Sequence, residues 1–410
     1  MKLKALVGLG VVTLVALTVG CSAESGSGGD EGASGEPLRI GVILPFSGNF
    51  ALEGEEVKRG YEMALADVGN VIDGRPVELV LGDGFAPEDV IAEVDRLATR
   101  ENVDMFIGTY ATPASQAGSE AAARYGLTWY ETHATTDSLT ERGLENYIRS
   151  AARAVDFGRA SAEAIIDGIA PLIGKESLTI WIEHEAGPYG TGVSATQARL
   201  LTTAGHNVTV GAHQAAATDV TDSILAAKAI NPDVWLQTGY VADSALLLRT
   251  AAQLDFKPSA VMLTGAGDSA TVLEAVGDDL ENVFVTAYTS KFISEDYAPG
   301  MAAFLEAYEE LYGELPPDSV AMVGYTGMTA AIQVIDGAEG AVDPASLRAS
   351  AAAIDLPFGS LPIGWGLSFN RDYQNELIRM TLVQWRADGT TPAVWPAEAA
   401  LEGEEIILNK

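Results

Sequence analysis

One cysteine in 410 residues, Cys21, rules out a disulfide framework and any zinc site built on thiolates. Four histidines, none in an HExxH pattern, leave little for a histidine metal centre. Basic residues are scarce: 24 Lys and Arg stand against 57 Asp and Glu, a formal net charge of −33. Nucleic-acid binding needs Lys and Arg against phosphate, so that class is excluded, and polyanionic ligands with it. The acid excess reads as a solvated surface that keeps the protein soluble. The GxSxG elbow of hydrolases is absent: around Ser194, GVSAT lacks the second glycine. Beyond the N-terminus no apolar run approaches membrane-spanning length, so the body is expected to be soluble and only tethered. Hydrophobic residues still make up 48% of the chain, enough to bury large cores.

The lone thiol sits in LTVGCSAES, residues 17–25. Ahead of it, Lys2 and Lys4 precede an uncharged apolar run from Ala5 to Gly20, too short to span a bilayer comfortably and laid out as a secretory signal. Leu17-Thr18-Val19-Gly20-Cys21 resembles the bacterial lipoprotein cleavage box. That resemblance implies a signal peptide over residues 1–20 and a mature N-terminus at Cys21 that carries lipid. The Gly/Ser/Asp/Glu stretch that follows reads, over 21–37, as a flexible linker holding the body off the membrane.

From Leu38 two periods alternate. Short β-rich runs appear at LRIGVIL, VELVLGD, VDMFIGT, LTIWIE, HNVTVGA, PDVWLQT, SAVMLTG and ENVFVTA. Between them lie amphipathic stretches such as EEVKRGYEMALADV, PEDVIAEVDRLATRE and VADSALLLRTAAQL. This repetition predicts an α/β protein with parallel sheets covered by helices on both faces. That many strands exceed one compact sheet, so two doubly wound lobes are expected. Residues 299–353 read as nearly all helical. After them, SLPIGWGLSFNRDYQN and ELIRMTLVQWRADG predict a bend and two antiparallel strands. With no helix to make a parallel unit, this late segment must rejoin a sheet laid down earlier.

This order of elements resembles the type I periplasmic binding-protein fold, specifically the branched-chain amino-acid (Leu/Ile/Val) receptors of ABC importers. The resemblance runs from Leu38 to about Ala397, carried by RIGVILPFSGNFALEGEEVKRGYEMALADV, DGFAPEDVIAEVDRL, VDMFIGTYATPASQAGSEAAARYGL and LVQWRADGTTPAVWP. It implies two lobes with a cleft between them, joined by three crossovers near Ser150–Arg153, Thr286–Thr289 and Leu356–Gly359. Lobe 1 then comprises 38–151 and 288–356, and lobe 2 comprises 152–287 and 357–410. The resemblance also implies a monomeric, extracytoplasmic solute receptor, anchored to the bacterial cell membrane by lipid on Cys21. Its partners would be ABC permease subunits and a small amino acid-like or carboxylate ligand, with no cofactor, no metal and no catalysis.

In open parallel sheets ligands bind beyond the carboxyl ends of the strands. In GTYATPASQAG the strand VDMFIGT ends, and Thr112-Pro113 opens a helix with Thr112 as N-cap and proline at N1. Free backbone N–H groups, the positive end of the helix dipole and a hydroxyl together suit a carboxylate. On chemistry alone Thr112 either caps its own helix or meets a ligand; the resemblance implies the ligand. Tyr110, in the same loop, is taken with it. The second loop, THATTDSLT, follows strand LTWYE. By resemblance, Thr135 aligns with a hydroxyl touching both carboxylate and ammonium, and the His133 carbonyl with an ammonium acceptor. The amino-acid receptors carry Ser-Pro-Gly-Ala-Thr where this chain has Glu131-Thr132-His133-Ala134-Thr135. Either this carboxylate and imidazole select a different ligand, or His133 points outward and satisfies the loop. In the opposite lobe Tyr189 aligns with an aromatic that closes over the ligand, and Tyr240 lies within one position of another. Asp268 falls near the family's acid for the ammonium, with one gap, and Glu53 falls where the family often has an aromatic.

Enzymatic readings fit less well. Gly265-Ala266-Gly267-Asp268-Ser269-Ala270 matches a loose GxGxxA dinucleotide loop but follows about the seventh strand rather than the first βα turn. Glu183-His184-Glu185 ends a strand, where neighbours point to opposite faces and rarely converge. A hydrolase or dinucleotide enzyme is thus the remote alternative. A nearer one is the same fold used as a sensor feeding a signalling partner, since both uses need a closing cleft.

Overall fold

The computed structural model describes residues 35–215 and 217–409, so Cys21, the signal and nearly all of the linker lie outside the described residues. Among the described residues no helix is long and apolar enough to cross a membrane.

The first sheet is built from β1 (Leu38–Leu44), β2 (Val71–Ile72), β3 (Arg75–Asp83), β4 (Met105–Gly108), β5 (Trp129–Glu131) and β6 (Tyr147–Arg149), in the order β2-β3-β1-β4-β5-β6. All its pairs are parallel except β2 with β3; Leu38 lies opposite Val77, and Ile40 opposite Met105. The second sheet takes β7 (Thr179–Glu185), β8 (Asn207–His213), β9 (Val234–Thr238), β10 (Ala260–Thr264) and β11 (Phe284–Ala287). A short pair, β12 (Asp355–Leu356) with β13 (Leu367–Ser368), precedes the last two strands, β14 (Thr381–Gln384) and β15 (Ala393–Trp395). The second sheet's order is β15-β14-β11-β10-β9-β7-β8, with β14 antiparallel to β11 and β15 antiparallel to β14. The late strands therefore do return to a sheet begun earlier.

Strand periodicity explains the layering. In β9, Val234 and Leu236 face one apolar layer with Ile165 and Ile169, while Trp235 faces the other with Leu247 and Leu248. Both faces being covered, the central strands are continuous apolar runs rather than alternating ones. In the first sheet, Leu38, Ile40 and Val42 pack with Val57 and Tyr61 of helix Ala51–Asp67 and with Met328 and Ile332 of helix Val320–Gly337. Those two helices touch at Gly60, where a Cβ would stand 2.3 Å from the Ala321 carbonyl oxygen. Only glycine permits that approach.

After β13 the chain folds back, and the Asn375 N–H donates to the Arg149 carbonyl at 2.9 Å, tying it to the end of β6. Asn375 Oδ1 accepts from Ser368 N at 3.0 Å, closing the bend on itself. Only beyond this knot does the chain enter β14. Three-dimensional pairing fixed that position, and the bend's own sequence does not announce its partner.

Candidate functional site

The carboxyl ends of β4 and β5 face those of β7, β9 and β10 across a cavity. One wall is Tyr110, Ala111, Thr112, His133 and Thr135; the other is Tyr189, Gly239, Tyr240 and Gly265. Tyr288, just past β11, and Ser319-Val320 complete it. Four helices begin here. Thr112 is the first residue of Thr112–Ala123, Tyr189 the second of Pro188–Thr203, Tyr240 the N-cap of Val241–Gln253, and Ser319 the N-cap of Val320–Gly337. Helix N-termini favour a negative group, and at three of these the protein supplies one of its own: Glu185 accepts from Gly190 N–H, Asp243 from Tyr240 N–H and Asp318 from Val320 N–H. No Lys, Arg, Asp or Glu lines the cavity.

Thr112 is displaced by one position from the N-cap expected of it. Ala111 is the N-cap, with extended backbone and no side-chain capping bond, so Thr112 does not cap its own helix. Its hydroxyl lies 2.9 Å from that of Thr136, which leaves it hydrogen-bonding capacity to spare.

The two unusual residues of the second loop have separate fates. Glu131 is fully buried and does not line the cavity. Its Oε1 accepts the N–H groups of Thr109 at 2.7 Å and of Thr132, His133 and Ala134 at 3.0 Å each. Its Oε2 accepts from the Thr109 hydroxyl and the Trp129 indole, both at 3.2 Å. Glu131 thus pins the loop that carries His133. His133 does reach the cavity wall, almost wholly buried. Nδ1 lies 2.9 Å from Thr132 Oγ1, which lies 2.5 Å from the Tyr61 hydroxyl, and Nε2 has no partner. Burial lowers the His133 pKa to about 4, against a smaller opposing pull from the Val320 backbone, so the ring is neutral at neutral pH. Arg149, also fully buried, donates to the Ala134 and Thr136 carbonyls at 2.9 Å and to the Gln374 side chain. The loop is therefore fastened to the passage between the sheets.

The tyrosines form a packed wall. Tyr189 and Tyr240 have ring centroids 5.8 Å apart, and Tyr288 meets Phe157 edge-on at 4.9 Å. Burial raises the pKa of Tyr110, Tyr189, Tyr240 and Tyr288 above the ordinary phenol value, so all four stay neutral hydroxyl bearers. Phe50 stacks on Phe85 at 4.4 Å and contacts Tyr110 and Tyr240 at 5.8 and 5.6 Å, backing both walls.

Asp268 and Glu53 do not line this cavity. Asp268 opens into an adjoining one, shared through Ser319, with Asp318 and Lys291. Burial raises the pKa of both acids, and the charge of Asp268 raises that of Asp318 further. Glu53 is buried with Oε2 unpartnered, and burial raises its pKa too. Glu183 and Glu185, two apart on β7, have separate partners: Glu183 meets His213 Nδ1 at 3.0 Å, whereas Glu185 accepts from Gly187 and Gly190 N–H. Among the described residues no group of three or more His, Cys, Asp or Glu is placed to hold a metal ion. Sequence reading missed Tyr288, Ser319 and Val320. The last two had a signal: PPDSV is a proline-led turn with a hydroxyl before a long apolar helical stretch.

Residues 37–390 match the family described as periplasmic binding protein. The Leu/Ile/Val-binding protein homolog 7 of Brucella suis is 33% identical over 371 residues, covering 89% of this chain and 92% of the relative. Among solved structures, the branched-chain amino-acid transporter substrate-binding protein of Streptococcus pneumoniae in complex with isoleucine superposes with a TM-score of 0.74 at 18% identity, covering 91% of this chain and 100% of that one. A solute-binding protein of an ABC transporter from Rhodopseudomonas palustris, in complex with 4-hydroxybenzoate, gives a TM-score of 0.74 at 19% identity over 91% and 97% of the two chains. Those two show the shared fold. With the family match over most of its length and the Brucella relative beside it, this chain belongs to the periplasmic binding proteins, in their type I, branched-chain amino-acid group.

Proposed function

We propose that this protein is the lipid-anchored solute receptor of an ABC importer, capturing a small carboxylate by closing its two lobes. Membership of the family makes it an extracytoplasmic solute-binding protein and not an enzyme. The observation that carries the ligand class is the convergence of four helix N-termini and two threonine hydroxyls on a cavity lined by no charged side chain. Isoleucine and 4-hydroxybenzoate, held by its structural neighbours, each pair a carboxylate with an apolar body. Here the helix ends suit the acid and the tyrosines suit the body. Ligand contacts with both walls bias an open–closed equilibrium, because only differential affinity shifts one.

Thermal-shift screening of the purified protein against amino acids, aromatic and aliphatic carboxylates, amides and urea tests this. A ligand at 100-fold above its Kd is expected to add ~2.7 kcal/mol of stability. If no carboxylate raises the melting temperature, the reading fails. Thr112→Ala is expected to weaken binding by ~1.5–3 kcal/mol in calorimetry, the range for a hydrogen bond to a charged group. For the anchor, Cys21→Ser is expected to release the protein from membranes into the medium; a variant that still pellets with membranes refutes lipid tethering.

A further inference from the structure

We infer that the chain Tyr61–Thr132–His133 fixes His133 as a neutral Nε2–H donor, so that the ligand group beside it is a hydrogen-bond acceptor and not an ammonium. This rests on the cavity being the ligand site. Tyr61, Thr132 and His133 are all at most 2% exposed, so each polar proton must find its acceptor within the protein or the cavity. The Tyr61 hydroxyl has one hydrogen-bonding neighbour, Thr132 Oγ1 at 2.5 Å. Thr132 Oγ1 has two, that hydroxyl and His133 Nδ1 at 2.9 Å.

Three arrangements are possible. If Tyr61 and His133 Nδ1–H both donate to Thr132 Oγ1, the Thr132 proton is left buried with no acceptor. If His133 Nδ1–H donates to Thr132 and Thr132 to Tyr61, the Tyr61 proton is left buried with no acceptor, which costs free energy. If Tyr61 donates to Thr132 and Thr132 to Nδ1, every proton of the chain is used and the imidazole proton sits on Nε2. Nε2 has no partner in hydrogen-bonding geometry, only the pull of the Val320 backbone on the ring, and the ring forms part of the cavity wall. The third arrangement leaves unmet only a donor that a ligand can meet. The geometry is held from both sides. Glu131 grips the backbone N–H groups of Thr132 and His133. Helix Val320–Gly337 presses on Thr132 at Gly327, where a Cβ would stand 2.7 Å from the threonine methyl.

An N–H donor attracts a carboxylate or carbonyl oxygen and repels an ammonium. No acid lines this cavity to offset that, Asp268 opening instead into the adjoining one. The structure therefore assigns to the site acids that carry an acceptor, such as a 2-oxo group, where an amino acid carries its ammonium.

The test has two arms. Nitrogen-15 NMR of the histidine-labelled, ligand-free protein at pH 7, with His133→Gln for assignment, reads the tautomer directly. A proton on Nε2 alone is expected; one on Nδ1, or a doubly protonated ring, overturns the inference. Calorimetry then compares isoleucine with 3-methyl-2-oxopentanoate, which replaces the ammonium by a carbonyl. The oxo acid is expected to bind more tightly, and His133→Leu to weaken it at least about tenfold while His133→Gln, which keeps an N–H, preserves most of the affinity. Isoleucine binding as tightly as the oxo acid, or His133→Leu without effect, overturns the inference. Should neither probe bind, the proposed function fails for these acids while the tautomer still decides the inference.

Discussion

The residues around the cavity titrate in opposite senses. Burial raises the pKa of Asp268 to about 6 and that of Asp318 to about 8, the charge of Asp268 adding to the rise at Asp318, so each holds a proton in the folded state at pH values where the unfolded chain has released it. Their contribution is fully present below the ordinary carboxylate pKa, near 4, and is lost as pH rises through the raised folded values. His133 acts the other way. With a folded pKa of about 4 it stays neutral while the unfolded imidazole gains a proton below about 6.5, so its contribution falls as pH drops between those values. Asp318→Asn keeps an oxygen for the Val320 N–H, now bonded at 2.9 Å, and removes one of the two repelling acids. This variant is expected to raise the melting temperature at pH 8, by roughly 2 kcal/mol of stability, and to change it little at pH 4. An equal change at both pH values would show that the acid pair carries no such strain. At this scale the sequence was legible where backbone position decides and opaque where side-chain direction decides. Thr112, Thr135 and the tyrosines follow strand ends, which periodicity locates. Asp268 also follows one, yet its three-residue offset from Gly265 turns it into the neighbouring cavity. Whether Glu131 or His133 would reach the cavity depended on which of them the loop's N–H groups would capture.

Elements were legible in proportion to their length. β1 was read residue for residue, and β7 and β9 to β11 stand where apolar runs placed them, because buried parallel strands advertise themselves as such runs. β6, at three residues, and β12 and β13, at two each, are too short to show any alternation and exist only through their partners. The contact between helices Ala51–Asp67 and Val320–Gly337 was likewise hidden, since it joins segments far apart in sequence through small residues that carry no pattern. Its consequence is checkable. A side chain at Gly60 meets backbone, the Ala321 oxygen at 2.3 Å and the Tyr325 nitrogen at 2.5 Å, which cannot rotate away. Gly60→Ala is expected to force the helices apart and cost about 1–3 kcal/mol in denaturant unfolding, despite alanine's better helix propensity. Because Ser319 and Val320 start the second of these helices and line the cavity, the same variant should also weaken ligand binding. A Gly60→Ala protein as stable as the parent would mean that the helices do not pack this closely.

For the whole molecule, the question is what holds its two halves together before a ligand arrives. Phe50 precedes the first long helix on the side of the first sheet, Tyr240 follows β9 of the second, and their rings meet edge-on at 5.6 Å. Phe50 lines no part of the ligand cavity, so changing it perturbs the closure without touching the ligand. An aromatic pair of this kind contributes ~0.5–1.5 kcal/mol beyond simple burial. That shifts an equilibrium between two forms of similar free energy by a factor of roughly 2 to 10. Phe50→Ala is therefore expected to shift the free protein toward the open form and to raise the apparent Kd by roughly 2- to 10-fold, since the competent fraction scales the affinity. Small-angle scattering should show a larger radius for the ligand-free variant than for the ligand-free parent, and the same compact radius for both at saturation. A variant whose free and bound shapes both match the parent, with an unchanged Kd, would place the hinge's balance elsewhere, in the knot where Arg149 meets Gln374 and Asn375.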